Sequence, residues 1–271
     1  MGAGLAPRLL GQHRLMDVDP RWYETFFAED YLRIAADELD DERTQKEVEF
    51  VVNQLGLEPP ARILDLAGGH GRHSVLLAQR GFRVTLYDLS QPSLDAAHAR
   101  AQQAGVDLDL VHGDMRELPY ENEFEAAVNL FTAFGYFEDE ADDRRVLANV
   151  ERALVPGGGF VMDVVSLFGI IREFQHRSWS DLGEGWTMLD EREYDVHTGR
   201  SAARWTLLGP DGERRELRHS VRLYTLPELR TMLTGAGLEV EGAWLGWEGE
   251  PYRWDARGRL VVAARKRLTP G

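Results

Sequence analysis

The chain contains no cysteine. That excludes disulfides, thiolate-bound metals and a cysteine nucleophile together, and nothing in the sequence points to an oxidising compartment. Basic charge is scarce as well. Lys plus Arg number 31 against 46 Asp plus Glu, a net charge of −15, so a phosphate backbone or an anionic membrane is on average repelled. Neither nucleic acid nor a membrane is therefore an expected partner, and the cytoplasm is the expected compartment. Long apolar runs are missing too: nowhere do about 18 uncharged apolar residues follow one another, as a membrane-crossing helix requires. Arg8 and Arg14 interrupt the weakly apolar start, and Ala6 stands where a myristoylation signal needs Ser or Thr, so Gly2 to Gln12 reads as a loose tail.

What is present is organised around Arg62 to Gly81, RILDLAGGHGRHSVLLAQRG. A short apolar run with an acid at Asp65 leads into Gly68, Gly69 and Gly71, after which Val75, Leu76 and Leu77 take up helical periodicity. A strand, a tight loop and a helix in this order let a ligand approach bare backbone and aim free N–H groups at it. From here strands and helices alternate. Strands are expected at Arg83 to Tyr87, Leu108 to Val111, Glu125 to Leu130 and Phe160 to Val165, with helices at Pro92 to Ala104 and Glu140 to Leu154. Such alternation implies a parallel sheet with right-handed crossovers, whose ligands lie beyond the carboxyl ends of the strands.

Before the glycine loop, Trp22, Tyr23, Phe26, Phe27 and Tyr31 fall at helical spacing, as core packing or as a wall over a ligand, and Val48, Phe50, Val51, Val52 and Leu55 give a second helical piece an apolar side. After Ser166 the pattern turns to alternation of polar and apolar residues. Thr187 to Tyr194, Ala202 to Leu208 and Glu216 to Tyr224, separated by Thr198-Gly199 and Pro210-Asp211-Gly212, predict a three-stranded antiparallel insert. A helix from Leu226 and strands at Leu238 to Trp244 and Leu260 to Ala264 complete the pattern. The expected organisation is a tail (1–19), a helical cover (20–58), an α/β core (59–166 and 225–271) and an antiparallel β insert (167–224).

A dinucleotide fingerprint needs G-x-G-x-x-G, and Ser74 occupies its third glycine position. The stretch Asp65-Leu66-Ala67-Gly68-Gly69-His70-Gly71 instead resembles the first motif of class I S-adenosylmethionine-dependent methyltransferases, with Ala67 in place of the first glycine. Asp88, ending the second strand, is placed like the acid that takes both ribose hydroxyls, with Leu89 beside it. His112-Gly113-Asp114-Met115 resembles the motif in which the Asp takes the adenine amino group and the next residue packs on the ring. Leu154 to Gly159 resembles the family's turn before strand five. Glu42-Arg43-Thr44 is similar to the pair opening the helix before the first motif in glycine N-methyltransferase-like enzymes, which implies that Arg43 meets the methionyl carboxylate.

The resemblance implies a Rossmann-like class I methyltransferase fold, a seven-stranded mostly parallel sheet with the last strand antiparallel and a β insert after strand five. Its implied cofactor is S-adenosylmethionine, leaving as S-adenosylhomocysteine, and the implied cofactor site is Arg43, Ala67, Gly68, Gly69, Gly71, Asp88, Leu89, Asp114, Met115, Asn129 and Phe131. The segment Asn129 to Phe137 is not the Asn-Pro-Pro-Tyr type used on amide or base nitrogens, so N- or O-methylation of a small molecule is expected. Tyr23, Phe134, Tyr136, Arg222 and Tyr224 are candidates for the acceptor pocket. His219 and His176 are the available candidates for a base, although a packed or surface histidine is the commoner reading of each. No metal signature is present. A binding module without turnover and a dinucleotide-dependent enzyme stay open as alternatives, and a homodimer is conceivable through free insert strands.

Overall fold

The computed structural model describes residues 15–27, 30, 31, 34, 41–255 and 257–268. The tail expected over Gly2 to Gln12 lies outside them, as does much of the stretch between the two expected N-terminal helices. One short helix, α1 (Tyr23–Phe26), and one long one, α2 (Asp41–Leu55), are described before the sheet. Asp41 and Glu42 in the first turn of α2 complement its dipole, and Thr44, Glu47, Val48, Val51 and Leu55 recur at helical spacing on its buried side.

The core alternates as the sequence predicts: β1 (Arg62–Leu66), α3 (Arg72–Gln79), β2 (Arg83–Asp88), α4 (Gln91–Ala104), β3 (Asp109–His112), β4 (Phe124–Asn129), α5 (Glu140–Ala153), β5 (Leu154–Val165) and α6 (Leu167–Arg172). After an insert, α7 (Leu226–Gly235), β10 (Leu238–Leu245) and β11 (Arg259–Lys266) return to the same sheet. Among the described residues this sheet has seven strands in the order β10-β11-β5-β4-β1-β2-β3, and β11 runs antiparallel to both its neighbours. β1 pairs in parallel with β2 on one side and β4 on the other, so the winding reverses there and opens a crevice beyond its carboxyl end. Both faces are covered, Leu64, Leu66 and Met162 packing on one and Ile63, Val128 and Val161 on the other. The alternation follows from successive side chains of a strand pointing to opposite faces.

Two expectations change. The Val155–Gly158 segment is not a turn ahead of the fifth strand but a bulge within it, since Phe124 pairs with Leu154 and Ala126 with Gly159. Glycine permits this, for a Cβ on Gly158 would meet the Val155 carbonyl at 2.9 Å. The insert has four strands, β6 (Arg177–Gly183), β7 (Trp186–Asp195), β8 (Arg200–Leu208) and β9 (Arg214–Arg222), paired antiparallel in that order. β6 escaped the sequence reading because its residues are mostly exposed and carry little apolar alternation. No described helix is long and apolar enough to cross a membrane.

Candidate functional site

The turn from β1 into α3 is built by backbone conformations that side chains resist. Gly69 and Gly71 have φ of +57° and +76°, and Ala67 holds +55° although it carries a Cβ. Gly68 lies directly on the Asp65 carboxylate, where a Cβ would sit 2.7 Å from the carboxyl carbon. Asp65 is buried and accepts a 2.6 Å bond from the Ser74 hydroxyl. Ser74, the residue that spoils the dinucleotide fingerprint, is thus the tether of the motif's own acid. Burial pushes the Asp65 pKa up, against the lowering influence of His73 and Ser74.

The ends of β2 and β3 add the next two acids. Asp88 accepts from the Gly69 N–H through Oδ2 and from the Ser90 N–H through Oδ1, each at 2.8 Å, which fixes the carboxylate with lone pairs to spare. Desolvation raises its pKa, while these two N–H bonds work the other way. Asp114 is gripped by Arg116, whose Nε lies 3.0 Å from both carboxylate oxygens, and the Arg116 guanidinium in turn covers the Phe137 ring at 4.5 Å. Burial would raise the Asp114 pKa, but these hydrogen bonds and the guanidinium charge outweigh it and hold the group low. Gly113 must be glycine because a Cβ there would fall 2.0 Å from the Tyr87 hydroxyl.

The opposite wall follows β4. Phe131 and Thr132 both adopt left-handed backbone, with φ of +64° and +62°. The Asp163 carboxylate accepts the Phe131 N–H, the Asp163 carbonyl accepts the Thr132 N–H at 3.0 Å, and Arg259 binds both the Asp163 carboxylate and the Thr132 hydroxyl. Beyond this turn Tyr136 stands parallel to Tyr23, centroids 6.4 Å apart at 17°, and close to Phe27 at 5.6 Å and 28°. These elements enclose a cleft of about 1090 Å³, part of it open to solvent.

Of the residues singled out in the sequence, Ala67, Gly68, Gly69, Asp88, Leu89, Asp114, Met115 and Phe131 line this cleft, together with Tyr23 and Tyr136. The others do not. Gly71 faces α4, where a Cβ would meet that of Ala97 at 2.8 Å, so its smallness serves helix packing. Asn129 is buried behind the cleft, its Nδ2 donating to the Leu66 carbonyl at 3.0 Å. Arg43 donates to Glu47 at 2.9 Å and lies 5.5 Å from the Phe131 ring, off the cleft wall.

The acceptor candidates divide as well. Phe134 and Tyr224 are core residues, Tyr224 donating to the buried Asp143 at 2.7 Å, and Arg222 pairs with Glu228 at 2.5 Å. His219 is enclosed by Trp22, Phe26 and Trp205, and burial lowers its pKa to about 3. His176 lies on the exposed margin of the insert, with its ring 5.0 Å from Phe174. Neither histidine reaches the cleft. Among the described residues no group of three or more His, Asp or Glu is placed to hold a metal ion.

Phe27, from the N-terminal aromatic stripe, and Phe137, from the segment after β4, also line the cleft, and so do Arg72 and Ser90, which the sequence did not single out. Arg72 alone carried a legible signal, since a basic residue opening a helix opposes the helix dipole.

Comparison with known proteins places this geometry. Residues 63–158 match the family model described as "Methyltransferase domain". The chain is 30% identical to the putative methyltransferase YqeM of Bacillus subtilis (strain 168) over 69% of its own length and 77% of the relative's. The chain belongs to the class I S-adenosylmethionine-dependent methyltransferases. This methyltransferase is also 28% identical to the cypemycin N-terminal methyltransferase of Streptomyces sp, over 75% of its own length and 83% of that protein. Its fold matches the crystal structure of an S-adenosylmethionine-dependent methyltransferase from Clostridium acetobutylicum ATCC 824 with a TM-score of 0.77 at 18% identity, covering 89% of this chain and 98% of that one.

The methyltransferase's cleft fits the cofactor of its family. Asp88 offers a fixed acceptor suited to two vicinal hydroxyls. Gly69 leaves open space, with nothing within 4 Å of where its Cβ would be. Arg72 brings a buried cationic donor to the same wall.

Proposed function

We propose that this methyltransferase moves a methyl group from S-adenosylmethionine to a nitrogen or oxygen of a small molecule, and that it does so as a homodimer. The observation that carries the reading is that one continuous cleft holds both halves of the task. Asp88, Asp114, Met115 and the glycine turn form one end, and the rings of Tyr23, Phe27 and Tyr136 form the other. The bound cofactor supplies an electrophilic methyl group on a sulfonium.

The chain's own residues then bind and align. Asp88 holds the ribose hydroxyls, Asp114 receives the adenine amino group on an oxygen already polarised by Arg116, and Met115 packs on the base. The aromatic wall excludes water and keeps an acceptor at attack distance, a service that by itself accounts for a large part of the acceleration of an in-line displacement. Desolvated, apolar-walled surroundings favour the uncharged form of an amine acceptor, whose lone pair is the nucleophile. A dedicated base is not required of either histidine candidate, since neither lies on the cleft. The net charge of −15 favours a small acceptor over an RNA. A nitrogen acceptor agrees with the printed name of the Streptomyces relative.

The test is calorimetry with S-adenosylmethionine, S-adenosylhomocysteine and NAD, followed by a screen of small amines and alcohols for S-adenosylhomocysteine release. Binding of the two sulfur ligands with turnover on an amine or alcohol is expected. Tight NAD binding with no response to the sulfur ligands overturns the reading.

A further inference from the structure

Between the end of β4 and the start of α5 the chain runs without helix or strand, yet Ala133, Phe134, Gly135, Tyr136 and Phe137 are buried. Buried carbonyls outside a ladder need donors from elsewhere in the fold. The insert supplies them. Arg200, the first residue of β8, donates through Nη1 to the Phe137 carbonyl at 2.7 Å and through Nη2 to the Tyr136 carbonyl at 3.1 Å. The same fork is anchored on β9, where Nε donates to the Ser220 hydroxyl at 3.0 Å and Nη2 to the Ser220 carbonyl at 2.8 Å. At the end of β9 the Arg222 N–H donates to the Gly135 carbonyl at 2.7 Å, and a Cβ on Gly135 would lie 2.5 Å from the Arg222 carbonyl oxygen. Three successive residues of the loop are thus tied to the insert. Among the described residues the acceptors of Arg200 are carbonyls and one hydroxyl, with no carboxylate, so its planar fork serves to match the spacing of backbone oxygens rather than to form an ion pair.

Two of the tied residues carry rings of the cleft. Tyr136 stands against Tyr23 and Phe27, and the Phe137 ring meets Tyr23 edge-on at 5.4 Å. The cofactor end is built differently, from the glycine turn and from acids closing β2 and β3 whose hydrogen bonds come from within the core. We propose that Arg200 is a positioning residue for the acceptor: by fixing the backbone of Tyr136 and Phe137 it sets the gap in which an amine or alcohol is held, so that the insert rather than the core sheet decides which acceptor fits. This rests on the function proposed above and adds to it the element that governs selectivity.

Hydrogen exchange read by mass spectrometry on the full chain tests the placement. In Arg200→Met, amide exchange over residues 134–137 should quicken by about tenfold or more, as expected when two hydrogen bonds from a charged donor are removed, while residues 62–71 and the paired amides of β7 exchange as in the wild type. Calorimetry should find S-adenosylhomocysteine bound within about threefold of wild type, because the cofactor acids keep their partners. With the amine or alcohol of the screen that the wild type turns over fastest, KM should rise about tenfold or more and kcat should fall far less, the mark of lost acceptor binding rather than lost chemistry. Arg200→Lys, which can still reach one carbonyl, should recover part of the loss in exchange and in KM, and it takes the place of Arg200→Met if that variant does not fold. Arg204→Met, which breaks a pair with Glu191 on the same strand, is the control and should match the wild type in all three measurements. Unchanged exchange over residues 134–137, or an S-adenosylhomocysteine affinity that falls as far as KM rises, overturns the proposal. A wild type without turnover on any member of the screen counts against the proposed function, and the exchange pattern then decides the placement by itself.

Discussion

At the scale of single residues, the site is governed by groups whose hydrogen bonds are already committed before any ligand arrives. Asp88 illustrates this, with one N–H on each carboxylate oxygen and its orientation therefore fixed. Replacing it with alanine removes the proposed ribose acceptor and frees the Gly69 N–H. Asp88→Ala is expected to weaken S-adenosylhomocysteine binding by about 1.5–3 kcal/mol, measured by calorimetry, with little change in thermal stability. Unchanged affinity would remove Asp88 from the site. Gly113 makes a second, steric case. Gly113→Ala drives a methyl group into the Tyr87 hydroxyl, 2.0 Å away, so Tyr87 must move off the cleft wall. An overpacking cost of about 1–3 kcal/mol is expected in denaturant unfolding.

These two positions also differ in how readable they were. Asp88 announced itself by ending a strand at a set distance from a glycine turn. Nothing local in the sequence says that a tyrosine one strand away fills the space above Gly113, because that contact is made only when β2 and β3 lie side by side.

At the scale of elements, two junctions hold the cleft in shape. The first joins α2 to α3 through Glu47, which is 1% exposed and receives Arg43, Arg72 and His73. Burial alone would raise its pKa, but the hydrogen bonds and charges of His73 and Arg72 outweigh that and bring it down to about 2. The folded state therefore prefers the ionised form. Its contribution, on the order of 3 kcal/mol, is full above the unfolded pKa of 4.5 and is lost as pH falls toward 2. Glu47→Gln should lower unfolding free energy at neutral pH, and its deficit relative to wild type should shrink as pH is lowered from about 4.5 to 2 in urea titrations. A pH-independent deficit would show that packing, not ionisation, is what Glu47 supplies.

The second junction is the β4 turn, where Phe131 and Thr132 have left-handed backbone and are bonded by Asp163 and Arg259. Asp163 is 1% exposed and the Arg259 side chain 17%, so breaking the pair strands a largely buried charge. Asp163→Ala should cost about 3–5 kcal/mol in denaturant unfolding and should loosen the Phe131 wall, seen as weaker S-adenosylhomocysteine binding. A loss below 1 kcal/mol would mean that the turn is held by its other contacts. The two junctions meet at one ring: Arg72 and Arg259 lie 5.3 and 5.1 Å from the centre of Phe131. Phe131 was counted in the cofactor site from the sequence, but the residues that support its strained backbone come from β5 and β11, far along the chain.

At the scale of the molecule, the insert ends in a free edge. Among the described residues β6 pairs with β7 alone, Trp179 is 73% exposed, and its cross-strand partner Leu189 is 41% exposed. Antiparallel pairing of two β6 strands about Trp179 would place Arg177 of each copy opposite Asp181 of the other, so the edge is charge-complementary to itself. Sedimentation velocity should accordingly find a dimer in the wild type and a monomer in Trp179→Lys, a charge placed where natural edges resist pairing. A wild type that sediments as a monomer at micromolar concentration removes this pairing from the proposal.

The sequence by itself determined the alternation of strands and helices, the glycine turn and the acids at successive strand ends. These are written in periods of two and about 3.6 and in local backbone demands, which neighbouring residues suffice to express. Tertiary structure decided which of those residues share a wall. It moved Gly71, Asn129 and Arg222 out of the cleft and brought Ser90 and Arg72 in, because parallel pairing and the covering of the crevice set distances between residues far apart in the chain. It also decided that Ser74 serves Asp65 and that Arg72 keeps one nitrogen without a partner among the described residues. Such facts depend on counting hydrogen bonds in a closed space, and a closed space exists only once the chain has folded.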